Sequence, residues 1–419
     1  MTQRPLGAEA DAGLLQTIRT ALLRDTSARI GIAVSGGGDS TALLHLALRV
    51  APGLGFAVEA VTVDHGLRPE SAAEAAQVAA LCAAQGLPHA TLLWQDRTAT
   101  GNLMDQARRA RFALISDWAR GRGIGRVLLG HTADDQAESF LMNLGRVAGL
   151  DGLSGMRPQW QAQGILWQRP LLGQGRADLR DYLRRNGVAW IDDPSNDNDR
   201  FTRIKARQAL AALARLGISV KTLAGTIANL SQARAALTRT LSDVVAAHVT
   251  EAAGALLMPV QIFDDLPPDL RRRLLSAAIR WMAGADYAPR ESQLGRLGDN
   301  LAQKQAAMLG GVRFRFAADR LQISREPRAV MGAMATDALW DHRWQMTGPH
   351  HSGLTVAALG AAGLRLCKDW RSTGHNRDAL LVSPAIWHGD RLVAAPLAQK
   401  SDDWQAKLGP SFGMFILSH

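Results

Sequence analysis

Ser35-Gly36-Gly37-Gly38-Asp39-Ser40 joins an apolar run, Ile30-Gly31-Ile32-Ala33-Val34, to a helix-forming stretch, 41–50. A glycine-rich turn from strand to helix exposes backbone N–H groups at the positive end of a helix dipole and so receives anions. Glycine lets the backbone close around a phosphate because no Cβ intrudes. Asp39 narrows the chemistry. A carboxylate facing a polyphosphate is repelled unless a cation lies between them, so the loop implies Mg²⁺ bridging Asp39 and phosphate oxygens. The loop lacks the Lys of the Walker pattern. The dinucleotide fingerprint fails too: it needs a small residue where Thr41 stands and no acid beside the pyrophosphate. The bland alternative is a glycine turn with an Asp or Ser N-cap.

Further along stand Val63-Asp64-His65-Gly66-Leu67-Arg68 and Gly130-His131-Thr132-Ala133-Asp134-Asp135-Gln136-Ala137-Glu138, both at predicted strand exits. Gly101-Asn102 leads into Arg108, Arg109 and Arg111. Asp192-Asp193-Pro194-Ser195-Asn196 precedes Phe201-Thr202-Arg203 and Arg207. His131 suits a helix cap or stabilisation of charge as pyrophosphate leaves. One Asp at a helix start is a cap; two in a row beside a His exceed what capping requires. Arg111 faces phosphate or belongs to a solvated basic stripe. Arg203 and Arg207 lie four apart on one helix face.

The elements that must position these residues alternate. Strands are predicted at 30–34, 58–63, 89–94, 126–129 and 165–168, and helices at 14–23, 41–50, 71–85, 104–119, 134–144 and 176–186. Apolar strands with little polar alternation are buried on both faces, and strand–helix alternation gives an α/β, doubly wound, mostly parallel sheet. Ligands of such sheets bind beyond the carboxyl ends of the strands, where the motifs fall. From about Ser219 the pattern becomes helical, with a hairpin at 307–326 turning at Ala317-Ala318-Asp319 and a linker at 327–338. The expected domains are 1–215 (catalytic), 216–330 (mostly helical) and 331–419 (small, β-containing), the last two binding RNA.

A length of 419 residues suits two or three domains. With 47 % hydrophobic and 21 % charged residues the composition is that of a globular protein. No apolar run reaches membrane length, and residues 1–11 do not read as a signal peptide. Cys82 and Cys367 cannot build a disulfide framework or a zinc site, and each reads as a buried thiol in a reducing cytoplasm. A formal charge of +10 suits a polyanionic partner larger than a nucleotide.

The motifs in this order resemble the tRNA(Ile)-lysidine synthetases, a branch of the N-type (PP-loop) ATP pyrophosphatases, whose fold is Rossmann-like. The resemblance covers roughly 30–207, with weaker echoes at Asn376-Arg377-Asp378-Ala379-Leu380 and at 390–396. It implies that ATP adenylates the carbon-2 oxygen of the wobble cytidine in tRNA(Ile) with a CAU anticodon, and pyrophosphate leaves. The ε-amine of free L-lysine then displaces AMP. The resemblance also implies site roles. Ser35, Gly36, Gly37, Gly38, Asp39, Ser40, Asp64, Arg111 and Gly130 bind ATP, with Mg²⁺ on Asp39. Asp134, Asp135 and Glu138 form the lysine pocket, with Asp135 as the acid that binds or deprotonates the amine. His131 and Arg203 act with Asp39 and Asp135 in catalysis. Arg207, Lys368, Arg371 and Arg377 contact tRNA. The expected setting is the cytoplasm, with no membrane partner and a homodimer left open. Two departures stand out: Ile204 where the family has Asn, and Ser139 where Thr is common. The rivals are another PP-loop tRNA-modifying enzyme or amide synthetase and, from a different class, a non-catalytic nucleotide sensor or RNA-binding module.

Overall fold

The computed structural model describes residues 6–23, 28–67, 69–95, 103–191, 202–399 and 401–418. It divides into two compact units, Met1–Arg234 and Ala235–His419. In the first unit the strands are β1 (Arg29–Ala33), β2 (Ala57–Asp64), β3 (His89–Leu93), β4 (Arg126–Leu129), β5 (Gln159–Ala162) and β6 (Ile165–Gln168). Its helices are α1 (Leu6–Leu22), α2 (Gly38–Val50), α3 (Ser71–Ala84), α4 (Leu103–Gly121), α5 (Ala133–Leu144), the single turn α6 (Leu150–Leu153), α7 (Arg176–Arg185), α8 (Thr202–Leu213) and α9 (Val220–His248), which runs past the division.

The sheet order is β3-β2-β1-β4-β6-β5, parallel except for the β5–β6 hairpin. Both faces are covered, as the apolar strands require. Ile30, Ile32 and Leu128 pack with Ile18 of α1, Leu43 of α2, Val78 of α3 and Leu179 of α7. Val61, Val127 and Leu129 pack with Ile115 of α4 and Trp167. Gly31 allows this second layer: a Cβ there would lie 2.9 Å from the Trp118 ring. The strand order reverses between β1 and β4, so the crevice beyond their carboxyl ends is the natural ligand site. Strand β5 escapes a sequence reading because Gln159–Ala162 is short and polar on an edge. Its turn, Gln163 (φ 53°) and Gly164 (φ 77°), is the left-handed pair that a two-residue hairpin uses.

The second unit is richer in strands than expected. Strands β7 (Thr250–Ala252), β8 (Ala255–Pro259), β9 (Ala307–Leu309), β10 (Val312–Ala317) and β11 (Arg320–Arg325) form an antiparallel sheet in the order β7-β8-β11-β10-β9. Residues 216–330 therefore carry this sheet beside the expected helices, which still hold more residues than the strands do. The expected hairpin is present, with Ala317 paired to Arg320. Helices α10 (Val260–Asp265), α11 (Pro268–Ala283) and α12 (Glu291–Ala302) belong to the same region, and Leu274, Ile279 and Leu297 share a core with Phe314 and Ile323. The remainder holds β12 (Met334–Ala335), inside the expected linker, β13 (Trp344–Thr347), β14 (Thr355–Ala358), α13 (Gly360–Leu366), α14 (Arg377–Leu381), β15 (Pro384–His388), β16 (Arg391–Ala394), β17 (Gln405–Leu408) and α15 (Phe412–Ser418). Strands β12-β14-β15-β16 make one sheet and β13-β17 another. Among the described residues no single helix is long and apolar enough to cross a membrane.

Candidate active site

The glycine loop leaves β1 and enters α2 at Gly38. Gly36 has φ +87°, and a Cβ there would lie 2.6 Å from Ile191 and 3.1 Å from Val78, so only glycine fits. Gly37 and Gly38 have no such crowding, and their missing side chains leave the loop surface open to a ligand. The serines brace the loop. Ser40 Oγ donates to the Gly37 carbonyl at 3.0 Å and accepts from the Ser35 N–H at 3.1 Å. Thr41 Oγ1 ties to the Gly36 carbonyl at 3.1 Å. The first N–H groups of α2 have no intrahelical acceptor, which is the anion-receiving property expected of this loop.

Gly130, at the end of β4, touches the loop directly. A Cβ there would lie 2.9 Å from Ser40 Cα and 3.2 Å from the Asp39 carbonyl carbon. Backbone cannot give way as a flexible side chain does. Gly130→Ala is therefore expected to displace the loop and weaken ATP binding by at least about tenfold, an overpacking cost of about 1–3 kcal/mol. Calorimetry with ATP and Mg²⁺ checks this; an unchanged dissociation constant contradicts it.

An acidic cluster faces Asp39. Thr132 and Asp135 form a capping box at the start of α5: Asp135 Oδ2 accepts from the Thr132 N–H at 2.8 Å and from Thr132 Oγ1 at 3.0 Å. Asp134 Oδ2 accepts from the backbone N–H of Arg176 at 2.7 Å and so caps α7. The Arg176 guanidinium then reaches three carboxylates: Nε to Asp39 Oδ2 at 3.0 Å, Nη2 to Asp135 Oδ1 at 3.2 Å and Nη1 to Glu138 Oε1 at 3.1 Å. Arg207 Nε binds the same Glu138 oxygen at 2.6 Å. Burial opposes the charge of Arg176, but Asp39, Asp135 and Glu138 together outweigh it and hold the group protonated. Burial raises the pKa of Asp39, Arg176 pulls it back, and Asp135 and Asp134 push it up again.

Among the described residues, two carboxylate oxygens in this cluster, Asp39 Oδ1 and Glu138 Oε2, are buried without a hydrogen-bond partner. Among the described residues no three His, Cys, Asp or Glu side chains converge as a protein-only metal cage. Mg²⁺ held with a nucleotide does not need one, since a carboxylate and phosphate oxygens complete its shell. The orphaned Asp39 oxygen beside an anion-receiving loop fits such an ion.

On the other side lies a cluster of arginines around His131. Arg169, at the end of β6, donates from Nε to His131 Nδ1 at 3.2 Å, and its guanidinium lies 4.1 Å over the Trp160 ring. Burial, then Arg108 and Arg111, lower the Arg169 pKa to about 10. Burial, then Arg108 and Arg203, do the same to Arg111, again to about 10, and the Arg111 Nε has no partner among the described residues. Cations pressed together in this way are stabilised by a polyanion. Burial and Arg169 lower the His131 pKa to about 3, with Asp135 opposing and Arg111 and Arg203 adding to the shift. The ring is then neutral, accepts at Nδ1 and carries its proton on Nε2, so it serves as a hydrogen-bond donor and not as an imidazolium acid. Its ring ¹⁵N shifts are expected to stay constant from pH 5 to pH 9; a midpoint near the ordinary 6.5 contradicts this. Because the folded pKa is depressed, this residue favours the folded state fully above about pH 6.5 and loses that contribution as pH falls toward 3.

The site gathers Ser35 to Ser40, Gly130, His131, Asp134, Asp135 and Glu138, with Arg111 and Arg203 near enough to depress His131. Arg207 is engaged by Glu138. Arg203 is exposed while Ile204 is buried, so the family's departure at 204 supplies the packing side of α8. Asp64 Oδ1 accepts from the Gly66 N–H at 2.8 Å and shapes its own turn. Lys368, Arg371 and Arg377 are exposed on the second unit, Arg371 lying 4.6 Å over Trp370. Arg68, 96–102, 192–201 and Lys400 lie outside the described residues. A cavity of about 350 Å³ between α2, α3 and Gly187 to Ala189 shares only Gly36 with the site.

Arg176 and Arg169 are missing from the sequence reading, though each left a signal. Arg176 opens a helix, where the dipole disfavours a cation, so acids must compensate it. Arg169 follows β6 on the same sheet edge as the other motifs.

Residues 11–214 match the PP-loop domain family model. The tRNA(Ile)-lysidine synthase of Ruegeria pomeroyi is 45 % identical over 411 residues, 97 % of this chain and 98 % of that protein. That of Mesorhizobium japonicum is 39 % identical over 352 residues, 80 % of this chain and 76 % of that protein. Among solved structures, a U34-tRNA thiolase from Methanococcus maripaludis overlays with a TM-score of 0.47 at 14 % identity, over 54 % of this chain and 80 % of that one. Similarity at this identity along nearly the whole chain is decisive: the chain belongs to the tRNA(Ile)-lysidine synthase family.

Proposed function

We propose that this protein is an ATP-dependent ligase that joins free lysine to carbon 2 of the wobble cytidine of tRNA(Ile) with a CAU anticodon. The observation that carries the reading is the meeting, at one sheet edge, of an anion-receiving loop bearing Asp39 with a net-negative cluster, in a chain alike to named lysidine synthases from end to end. In the first step the cytidine carbon-2 oxygen attacks the α-phosphorus of ATP and the bond to pyrophosphate breaks. In the second the lysine ε-nitrogen attacks carbon 2, gives up its proton, and the bond to AMP breaks. The product, lysidine, pairs with A, so decoding moves from AUG to AUA and charging from Met to Ile.

The loop N–H groups bind the β- and γ-phosphates. Mg²⁺ at Asp39 Oδ1 would neutralise charge on the departing pyrophosphate. His131 Nε2–H and the arginines Arg111, Arg169 and Arg203 stabilise charge around the α-phosphate. Four carboxylates against two guanidiniums leave the acidic cluster short of positive charge, which suits an ammonium. Glu138, whose side chain is 1 % exposed, offers Oε2 to accept the amine proton. Lys368, Arg371 and Arg377 serve the tRNA backbone, and Trp370 offers a stacking face. Tight binding is then strongly salt-dependent. The reaction belongs to the cytoplasm, where its substrates meet. Sulfur transfer is the less supported reading, because Cys82 and Cys367 are buried and burial raises both thiol pKa values.

The test is incubation of the protein with ATP, labelled lysine and a tRNA(Ile) transcript bearing CAU. Label in a modified cytidine, with one pyrophosphate per lysine, is expected. Absence of label, or equal labelling of a transcript with U at the wobble position, overturns the reading.

A further inference from the structure

We propose that Arg176 is a positioning residue that couples the two halves of the site: it holds one oxygen each of Asp39 and Glu138 and thereby presents Asp39 Oδ1 to the metal–nucleotide side and Glu138 Oε2 to the amine. The inference rests on the ligase reading above. Arg176 is unusual in its surroundings. A simple structural ion pair needs one carboxylate, yet Arg176 contacts three, drawn from α2 and α5. Its three guanidinium nitrogens each take a different acid, a division that the planar fork permits and a lysine ammonium does not. Its backbone N–H is fixed by Asp134, next to one of the acids its side chain holds, so the guanidinium has little freedom to turn away. Of the three acids it grips, Asp135 has its second oxygen taken by Thr132, whereas Asp39 Oδ1 and Glu138 Oε2 have no hydrogen-bond partner among the described residues. A cation is disfavoured at the start of α7, so the placement does not serve that helix. Arg207 supports the same Glu138 oxygen and reaches no other acid of the cluster among the described residues.

The test uses Arg176→Lys, which keeps the charge and loses the fork. Two quantities are measured on the full chain: the Mg²⁺ concentration that half-saturates binding of a non-hydrolysable ATP analogue, without tRNA or lysine, and the KM for lysine in ligation. Both are expected to rise by about 10–100-fold, the range for loss of a residue that orients a metal ligand, with the melting temperature near that of the parent. Arg176→Gln is expected to raise both at least as far. Parent values of both in folded Arg176→Lys overturn the proposal, since a merely structural arginine moves only the melting temperature. Tighter Mg²⁺ binding in Arg176→Gln also overturns it, because Arg176 would then be a competing counter-ion. The Mg²⁺ titration needs no lysidine chemistry. A parent protein that forms no lysidine defeats the ligase reading, whereas an unchanged Mg²⁺ requirement in the variants defeats this one.

Discussion

Asp39→Asn is expected to lower pyrophosphate release by roughly a hundredfold or more while the protein stays folded. The side chain keeps its size and one acceptor but loses the charge that places a cation against the phosphates. Losing a preformed electrostatic contact of this kind raises the barrier by about 3 kcal/mol. The Arg176 contact at Asp39 Oδ2 weakens as well. Release of pyrophosphate at saturating Mg²⁺, with the melting curve alongside, measures the effect. Near-parent turnover would remove Asp39 from the metal site.

Glu138→Gln is expected to separate the two chemical steps. The variant should still adenylate tRNA and release pyrophosphate, but form lysidine roughly a hundredfold more slowly, the lower end of what a positioned base contributes. Adenylated tRNA should accumulate, and high lysine or raised pH should restore part of the product, because more of the amine is then deprotonated. Asp135→Asn should behave differently. Both Asp135 oxygens already accept hydrogen bonds, one from the Thr132 cap and one from Arg176. Its loss should slow both steps together and cost about 1 kcal/mol of stability through the broken cap. Should Asp135→Asn give the clean separation and Glu138→Gln not, the amine role returns to Asp135.

The surroundings of these two carboxylates show what a chain can and cannot say before it is folded. The parallel sheet, its order of motifs and the loop were legible because strand apolarity and glycine placement are local. Asp134 and Asp135 read as more than caps because two acids exceed what one helix start requires. The structure shows two helices, α5 and α7, each capped by one of them. No spacing rule reveals that, since α7 begins some forty residues later. Arg176 was hidden for the same reason: its partners come from elements joined only in space. In the second unit, β7 and β8 went unseen because the hairpin is short and turns at Ala253 and Gly254, with φ of 49° and 78°. Within the echo at 376–380 two residues hold the fold: Asn376 caps α14, and Asp378 meets Arg313 at 2.8 Å and Arg315 at 3.1 Å.

The double duty of Asp134 and Asp135 bears on how this protein can be altered. In many enzymes the reacting groups are a burden on the fold, and replacing them raises the melting temperature. Here Asp134 and Asp135 each satisfy the start of a helix, so substitutions that remove them are expected to lower rigidity together with any activity they serve. Heat-selected variants would therefore retain these two positions even under no demand for lysidine, and their persistence in a sequence would record folding as much as catalysis.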